Sequence, residues 1–186
     1  MNPYTSPRSP ASRRCPSPWR FFFCSALFYP LWFVVGGAIS IGGSEREAMV
    51  EGRLSEWWQS LRARNVDSGI RFESALGSDP VVPLDLFDSV AENLLENARS
   101  KRLNEPGIHI RVQLEARNGA AHLRVSDDGS CIDTDTARNL FKSPVNSRNG
   151  LGIGLYQAAR QAQQWGYELS LTANRPHEVA FDLRPA

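Results

Sequence analysis

The sequence predicts an α/β fold, a two-layer sandwich in which helices cover one face of a mixed β-sheet. Several stretches have apolar residues at every second position, which is typical of half-buried strands, and two of them flank Asn118-Gly119, a common hairpin turn. Between the strands lie stretches with apolar residues at helical spacing. Because the strands are apolar on one side only, we expect the opposite face of the sheet to be polar.

The size and composition of the chain exclude several classes of protein. Its 186 residues allow one domain of ordinary size with additional segments. The formal net charge of +1 gives no overall attraction to nucleic acid, so we expect no such partner. Cys15, Cys24 and Cys131 lack the spacing of a zinc site or a disulfide framework. We therefore expect the folded part in a reducing compartment.

The N-terminal part of the chain differs from the rest. Residues 1–20 contain five prolines, four arginines and no acidic residue, so we expect a disordered tail. Residues 21–44 carry no charge and are long enough to cross a bilayer as a helix, with a signal peptide as the alternative. The arginines of the tail favour the cytoplasm, which would place the rest of the chain outside the cell. The membrane topology therefore stays open.

The elements of the sandwich can be placed from residue 69 onward. Residues 45–68 have the spacing of a connecting amphipathic helix. The apolar face of this helix comprises Val50, Leu54, Trp57, Trp58 and Leu61. The sandwich at 69–186 is predicted to contain a strand at 69–76, a turn at 78–83, a helix at 84–102, the hairpin around Asn118-Gly119, a polar stretch at 129–149, a helix from Leu151 to Gly166, and two closing strands.

Two asparagines stand out on the predicted helix at 84–102. Asn93 and Asn97 lie one turn apart on one flank of its apolar stripe. Asparagine is a mediocre helix former, so the pair suggests a specific task. An amide oxygen is a suitable ligand for Mg²⁺. An ordinary polar flank is the alternative interpretation.

A second candidate is the sequence Asp127-Asp128-Gly129, which follows a predicted strand. A carboxylate at a strand end can accept a hydrogen bond from the amino group of adenine, and a following glycine leaves room for the ring. A plain Asp-Gly turn is the alternative.

A third candidate is the stretch "NGLGIGL", which sets Gly150, Gly152 and Gly154 at alternate positions before a helix. Glycines there, together with the free N–H groups of the helix N-terminus, favour binding of a phosphate. The spacing matches neither the dinucleotide fingerprint nor the P-loop.

Taken in order, "ENLLENA", "DDGSC" and "GLGIGL" resemble the N box and the two glycine boxes of the Bergerat-fold (GHKL) ATPases. This superfamily includes sensor histidine kinases, Hsp90, type II topoisomerases and MutL. The resemblance covers residues 69–186 and is strongest to the C-terminal catalytic ATP-binding domain of bacterial sensor histidine kinases. It implies ATP and Mg²⁺ as cofactors.

The resemblance also implies roles for individual residues. Asn97 would coordinate Mg²⁺, Asn93 would occupy the upstream N-box position as the candidate catalytic residue, and Asp127 would recognise adenine. The implied cofactor-binding residues are Asn93, Asn97, Lys101, Asp127, Gly129, Gly150, Leu151, Gly152, Gly154 and Leu155.

The sequence departs from the family pattern at four points. Cys131 stands where a second glycine is usual, and Ser100 stands where a basic residue is common, so Lys101 or Arg102 would substitute. Asn93 replaces the glutamate that hydrolysing relatives use as general base, which favours transfer to histidine over hydrolysis. No histidine precedes His109, so the phosphoacceptor histidine is expected outside this chain.

The resulting prediction is the catalytic domain of a sensor histidine kinase. Its expected partners are a phosphoacceptor domain, a response regulator, the bacterial inner membrane through residues 21–44, and a second copy in a longer kinase. The ATP-binding domain would lie in the cytoplasm. Two alternatives remain: an anti-sigma-factor serine kinase of the same fold, and a non-catalytic module that docks through the sheet and the Trp57–Trp58 helix.

Overall fold

The computed structural model describes residues 50–67, 69–142 and 153–186. The tail predicted at 1–20 and the membrane segment predicted at 21–44 lie outside the described residues, as do Gly150, Leu151 and Gly152. Within the described ranges, no helix is both long enough and apolar enough to cross a membrane.

The described chain folds into seven strands and four helices. In chain order they are β1 (Glu51–Arg53), α1 (Leu54–Arg64), β2 (Ile70–Leu76), β3 (Val81–Pro83), α2 (Leu84–Asn104), β4 (Ile110–Arg117), β5 (Ala120–Asp127), α3 (Thr134–Asn139), α4 (Ile153–Gln164), β6 (Tyr167–Arg175) and β7 (Glu178–Pro185). Five strands form the main sheet in the order β2-β4-β5-β7-β6. Because β2 pairs parallel with β4 and the other neighbours pair antiparallel, the sheet is mixed, as predicted.

The strands of the hairpin alternate between the two faces of the sheet. Val112 and Leu114 of β4 are fully buried. They pair with Val125 and Leu123 of β5, which are buried as well. The residues between them are partly or fully exposed. Asn118 and Gly119 both have positive φ angles, 54° and 80°, which is the backbone that a tight hairpin requires.

The helices α2 and α4 cover the apolar face of the sheet. The buried stripe of α2 comprises Leu86, Phe87, Val90, Ala91, Leu94, Leu95 and Ala98. The helix α4 contributes Leu155, Ala158, Ala159 and Ala162, and its small residues permit close packing against α2 and the sheet. Gly166, with a φ of 71°, follows the end of α4 as predicted.

The segment before Leu54 differs from the predicted helix. Residues 51–53 form β1, which pairs antiparallel with β3, where the sequence predicts only a turn. The Leu84 N–H donates to the Val50 carbonyl at 3.0 Å, and Val50 is 54% exposed instead of lying on a helix face. Asp79 accepts hydrogen bonds from the Ser55 N–H and hydroxyl, both at 2.9 Å, and so stabilises the first turn of α1. The helix therefore begins at Leu54.

The tryptophans of α1 lie in the core. Trp57 and Trp58 are 4% and 3% exposed. Trp57 packs edge-on against Phe87 with ring centroids 5.2 Å apart, and Trp58 packs against Phe72 at 5.6 Å. The helix α1 thus packs into the same apolar core as α2 and the sheet, and this tryptophan pair offers no exposed docking surface.

Replacing Trp58 tests this packing. Trp58→Ala is expected to lower the free energy of unfolding by about 3–5 kcal/mol, because it leaves a large cavity. Trp58→Phe should cost much less, since the Trp58 indole N–H is buried with no hydrogen-bond partner among the described residues. Urea unfolding measures the free energy of unfolding of both variants. Glu56→Ala, on the exposed face of α1, is the control. Equal effects of Trp58→Ala and Glu56→Ala would contradict a core position.

Candidate functional site

One row of polar side chains along α2 contacts both Asp127 of the second motif and Gly154 of the third. Asn93, Asn97, Lys101 and Glu105 follow one another at four-residue intervals, and Glu105 directly follows the last helical residue. Residues four apart lie on the same side of a helix, about 6 Å apart along its axis. We call these four residues the polar ridge. It runs along the flank of the buried stripe, where the sequence placed Asn93 and Asn97.

At one end of the polar ridge, Asn93 meets the first turn of α4. Its amide nitrogen donates to the Ser89 carbonyl at 2.7 Å, which fixes the orientation of the side chain. A Cβ added to Gly154 would overlap the Asn93 Oδ1 atom. Only glycine therefore permits α4 to approach α2 this closely while Asn93 keeps that orientation. Asn93 of the first motif and Gly154 of the third motif are therefore neighbours here.

Asn97 occupies the middle of the polar ridge and is partly exposed. Among the described residues, its side-chain amide takes part in no hydrogen bond, so its oxygen can ligate a hard cation such as Mg²⁺. The described ranges contain no group of three or more His, Cys, Asp or Glu residues suited to a metal. A magnesium ion at Asn97 would therefore need further oxygen ligands from a bound phosphate or from water.

Towards the other end of the polar ridge, one turn before Glu105, Lys101 contacts the second motif. Its Nζ atom lies 2.5 Å from the Asp127 Oδ1 atom and 2.5 Å from the Ser130 carbonyl oxygen. The side chains of Lys101 and Asp127 are only 12% and 8% exposed, so this ion pair is largely removed from water. Asp127 ends β5, the central strand, between Ile110 of β4 and Val179 of β7.

The turn after Asp127 is fastened to the end of α2 by Glu105. The Ser130 N–H donates to the Glu105 Oε2 atom at 2.8 Å, and the Ser130 hydroxyl bonds Oε1. The Gly129 N–H donates to the Asp127 Oδ1 atom at 3.0 Å. A Cβ at Gly129 would lie 2.7 Å from Glu105 Oε2 and 2.8 Å from Lys101 Cε. A larger residue at position 129 would therefore force the Glu105 and Lys101 side chains to shift from these positions.

The two adjacent aspartates of the second motif have opposite environments. Burial raises the pKa of the Asp127 carboxyl, and the Glu105 charge adds to this, although Lys101 and the Gly129 N–H act in the other direction. Asp128 is exposed and turns towards His109, whose N–H and Nδ1 lie 2.7 and 2.9 Å from its oxygens. Burial opposes ionisation there too, but the bonds from His109 outweigh it and lower the pKa of Asp128.

The structure brings together most of the residues that the sequence analysis selected. Asn93, Asn97, Lys101, Asp127, Gly129 and Gly154 line one continuous strip along α2. Leu155 is fully buried in the core, so its side chain does not border this strip. Lys101 lies at Asp127, at the opposite end of the polar ridge from the contact with Gly154.

Glu105 and Ser130 contact the candidate residues but were not selected from the sequence. The four-residue spacing from Asn97 through Lys101 continues to Glu105, and this periodicity was a usable signal. Nothing in the sequence pairs Ser130 with Glu105, because they are 25 positions apart and meet only through the fold.

The chain matches a known family over these elements. The family described as "Histidine kinase-, DNA gyrase B-, and HSP90-like ATPase" matches residues 84–185, which are more than half of the chain. The chain belongs to this family, as its resemblance to the GHKL ATPases predicted.

The curated relatives that the chain matches include a sensor histidine kinase and a bacteriophytochrome, and both are much longer than this chain. The chain is 34% identical over 80 residues to the sensor histidine kinase DcuS of Escherichia coli, which is 42% of this chain and 15% of DcuS. It is 35% identical over 113 residues to a bacteriophytochrome of Pseudomonas aeruginosa, which is 56% of this chain and 15% of that protein. The chain therefore matches about a seventh of these relatives.

Solved structures share the fold. The catalytic domain of histidine kinase ThkA, in a nucleotide-free form, aligns with a TM-score of 0.59 and 19% identity over 74% of this chain and 96% of that chain. The mycobacterial sensor histidine kinase MprB aligns with a TM-score of 0.53 and 21% identity over 73% and 97%. The predicted two-layer sandwich, a fold shared with these histidine kinase structures, is confirmed.

A double-mutant cycle tests the contact between Asn93 and Gly154. Gly154→Ala in a helix would normally stabilise by about 1 kcal/mol. Here we expect a loss of about 1 kcal/mol, because the new methyl displaces Asn93 from its hydrogen bond to Ser89. In an Asn93→Ala background the same change should stabilise. Urea unfolding of the four variants gives the coupling energy, and additive effects would exclude the contact.

Proposed function

We propose that this chain is the ATP-binding catalytic part of a two-component sensor histidine kinase, and that it transfers the γ-phosphoryl group of ATP to a histidine outside this chain. The observation that supports this most directly is the polar ridge, which contacts Asp127 through Lys101 and contacts Gly154, the described glycine of the third motif, through Asn93. A nucleotide laid along this ridge would have its base at Asp127 and its phosphates towards Asn97 and Gly154.

At the end of the polar ridge where the nucleotide base would lie, which we call the base end, the Asp127 carboxylate would be the hydrogen-bond acceptor. The Asp127 Oδ1 atom already receives hydrogen bonds from Lys101 and from the Gly129 N–H. The second oxygen, Oδ2, would accept a hydrogen bond from the amino group of adenine. The partly apolar surroundings of Asp127, between Ile110 and Val179 on the neighbouring strands, favour a flat base over a hydrated ion.

The phosphate end supplies an amide oxygen and a helix N-terminus. Asn97 would hold Mg²⁺, which when bound neutralises charge on the phosphates. The first turn of α4, where Gly154 approaches Asn93, directs the positive end of a 12-residue helix towards the same region. These groups position and neutralise the phosphates, which is the main requirement of phosphoryl transfer.

The residue at position 93 favours transfer over hydrolysis. Asn93 carries no carboxylate, and its amide is committed to Ser89, so it cannot activate water as a general base. A histidine nitrogen is a better nucleophile and needs less assistance. In the transfer, the bond between Pγ and the bridging oxygen breaks, a P–N bond forms, and ADP leaves with the bond electrons.

The proposed partners follow from this activity. A histidine-bearing phosphoacceptor domain would receive the phosphoryl group and pass it to a response regulator. The structure of ThkA in complex with the response regulator protein TrrA, which aligns with a TM-score of 0.55 and 17% identity over 74% of this chain and 41% of that chain, supports the second partner. We further propose attachment to the bacterial inner membrane through residues 21–44, with residues 69–186 in the cytoplasm, and a homodimer in the longer kinase.

Calorimetric titration of the full chain with ADP and ATP, with and without Mg²⁺, tests the nucleotide site. Asp127→Asn should weaken binding about tenfold or more, because a charged hydrogen bond is worth about 1.5–3 kcal/mol. Asp128→Asn is the matched control, since that side chain turns away to His109, and it should leave affinity within about threefold of the parent. Equal losses for the two variants would contradict the proposed site.

The magnesium position is tested separately with Asn97→Ala. We expect ADP binding without Mg²⁺ to be retained and the gain in affinity on adding Mg²⁺ to be lost, because this change removes the proposed ligand oxygen. The Mg²⁺ dependence of the dissociation constant measures this. An undiminished Mg²⁺ effect in Asn97→Ala would place the ion elsewhere.

A further inference from the structure

The amine of Lys101 holds two oxygens of one turn. It donates to the Asp127 Oδ1 atom and to the Ser130 carbonyl, so the turn that follows β5 is tied to α2 at two points. Both charged side chains are nearly removed from water. A buried charge is costly unless it is paired and hydrogen-bonded, so the carboxylate depends on this amine to stay ionised.

The hydrogen bonds to Asp127 are concentrated on one oxygen. Lys101 and the Gly129 N–H both donate to Oδ1, and among the described residues no hydrogen bond reaches Oδ2. The ion pair therefore does two things at once. It stabilises the negative charge and it sets the rotation of the carboxylate about its Cβ–Cγ bond.

We propose that Lys101 is a positioning residue of the base site, which keeps the Asp127 carboxylate charged and turned so that Oδ2 accepts a hydrogen bond from the amino group of a nucleotide base. This inference rests on the proposed nucleotide-binding function. It assigns Lys101 to the base end of the polar ridge, whereas the sequence analysis expected it to replace a basic residue associated with the N box.

The other charged groups around Asp127 cannot take over this role. On α2, Glu105 is negative and is bonded to Ser130, so it disfavours the ionised carboxylate. Asp128, the next residue, pairs with His109. The neighbouring strand β7 presents Val179, and the turn before β7 contributes the His177 N–H to the Gly129 carbonyl. Of the side chains in the described ranges, Lys101 is the cation that bonds Asp127.

The sign of the pH effect follows from this arrangement. Burial raises the pKa of Asp127 above its usual value, and the bond and charge of Lys101 offset part of this rise. Without the amine the pKa rises further, so the carboxyl becomes protonated at a higher pH. Since a protonated Asp127 no longer provides a charged acceptor, binding should weaken as the pH falls through that higher pKa. Binding should recover as the pH rises above it.

The experiment measures ADP binding by the full chain, without Mg²⁺, across a series of pH values. For Lys101→Met we expect affinity to fall about tenfold per pH unit below a midpoint that is higher than in the parent. Lys101→Arg keeps the cation and should keep the parent midpoint. Lys142→Met, at the other lysine of the chain and on an exposed site, is the control and should match the parent.

Lys101→Gln serves if the methionine variant does not fold. Glutamine can still donate to the Ser130 carbonyl but carries no charge, so we expect the same upward shift of the midpoint. A purely structural role would lower the midpoint of urea unfolding and weaken ADP binding equally at every pH. A uniform loss of this kind, or unchanged binding, in the uncharged variants would overturn the proposal.

The carboxyl can also be followed without any nucleotide. NMR titration of Asp127 in the ligand-free chain should give a higher pKa in the uncharged Lys101 variants than in the parent, and an unchanged pKa would overturn the role of Lys101. If the parent fails to bind ADP at every pH, the nucleotide-binding function is wrong and the base-positioning role is overturned with it. The two failures are distinguishable, because a wrong nucleotide-binding function shows as absent ADP binding in the parent, whereas a wrong role for Lys101 shows only in the Lys101 variants.

Discussion

The buried ion pair between Lys101 and Asp127 fixes how α2 sits on the sheet. Removing two charges from water is unfavourable, so each must keep its partner and its additional hydrogen bonds. The Ser130 carbonyl and the Gly129 N–H provide those bonds. If α2 rotated or slid by one residue, the ion pair would break, and the apolar stripe of α2 would lose its contacts with β5. The ion pair and the stripe therefore select the same position of the helix.

Much of the fold could be predicted because its signals are local. The hairpin depends on Asn118-Gly119 and on alternation within single strands, and the stripe of α2 repeats within its own sequence. The strands β1 and β3 were missed for the converse reason. Each strand has only three residues, too few to show an alternation of apolar and polar positions. The two strands pair with each other across about 30 residues of sequence, and the bond from the Leu84 N–H to the Val50 carbonyl lies directly beside this pairing.

The residue types of the candidate site could be read from the sequence, but their pairings could not. The spacing of Asn93 and Asn97 and the position of Asp127 at a strand end led to the selection of three candidate residues. The partnership of Lys101 with Asp127 joins positions 26 apart, and it depends on the rotation of α2 over the sheet. Alternation along the strand directs Asp127 and Asp128 to opposite sides, but their partners, Lys101 and His109, are brought to them only by the fold.

The position of Lys101 has a consequence for the phosphate end of the polar ridge. The resemblance to the GHKL ATPases led us to expect a basic residue at position 100, where this chain has Ser100. Successive helical residues differ by about 100° in direction. A cation one position later is therefore directed differently, and here it is bound to Asp127 and Ser130. With that amine committed, bound phosphates must be neutralised by other groups. In the proposed arrangement these are the magnesium ion at Asn97 and the N-terminus of α4, which makes the close approach at Gly154 important for binding as well as for packing.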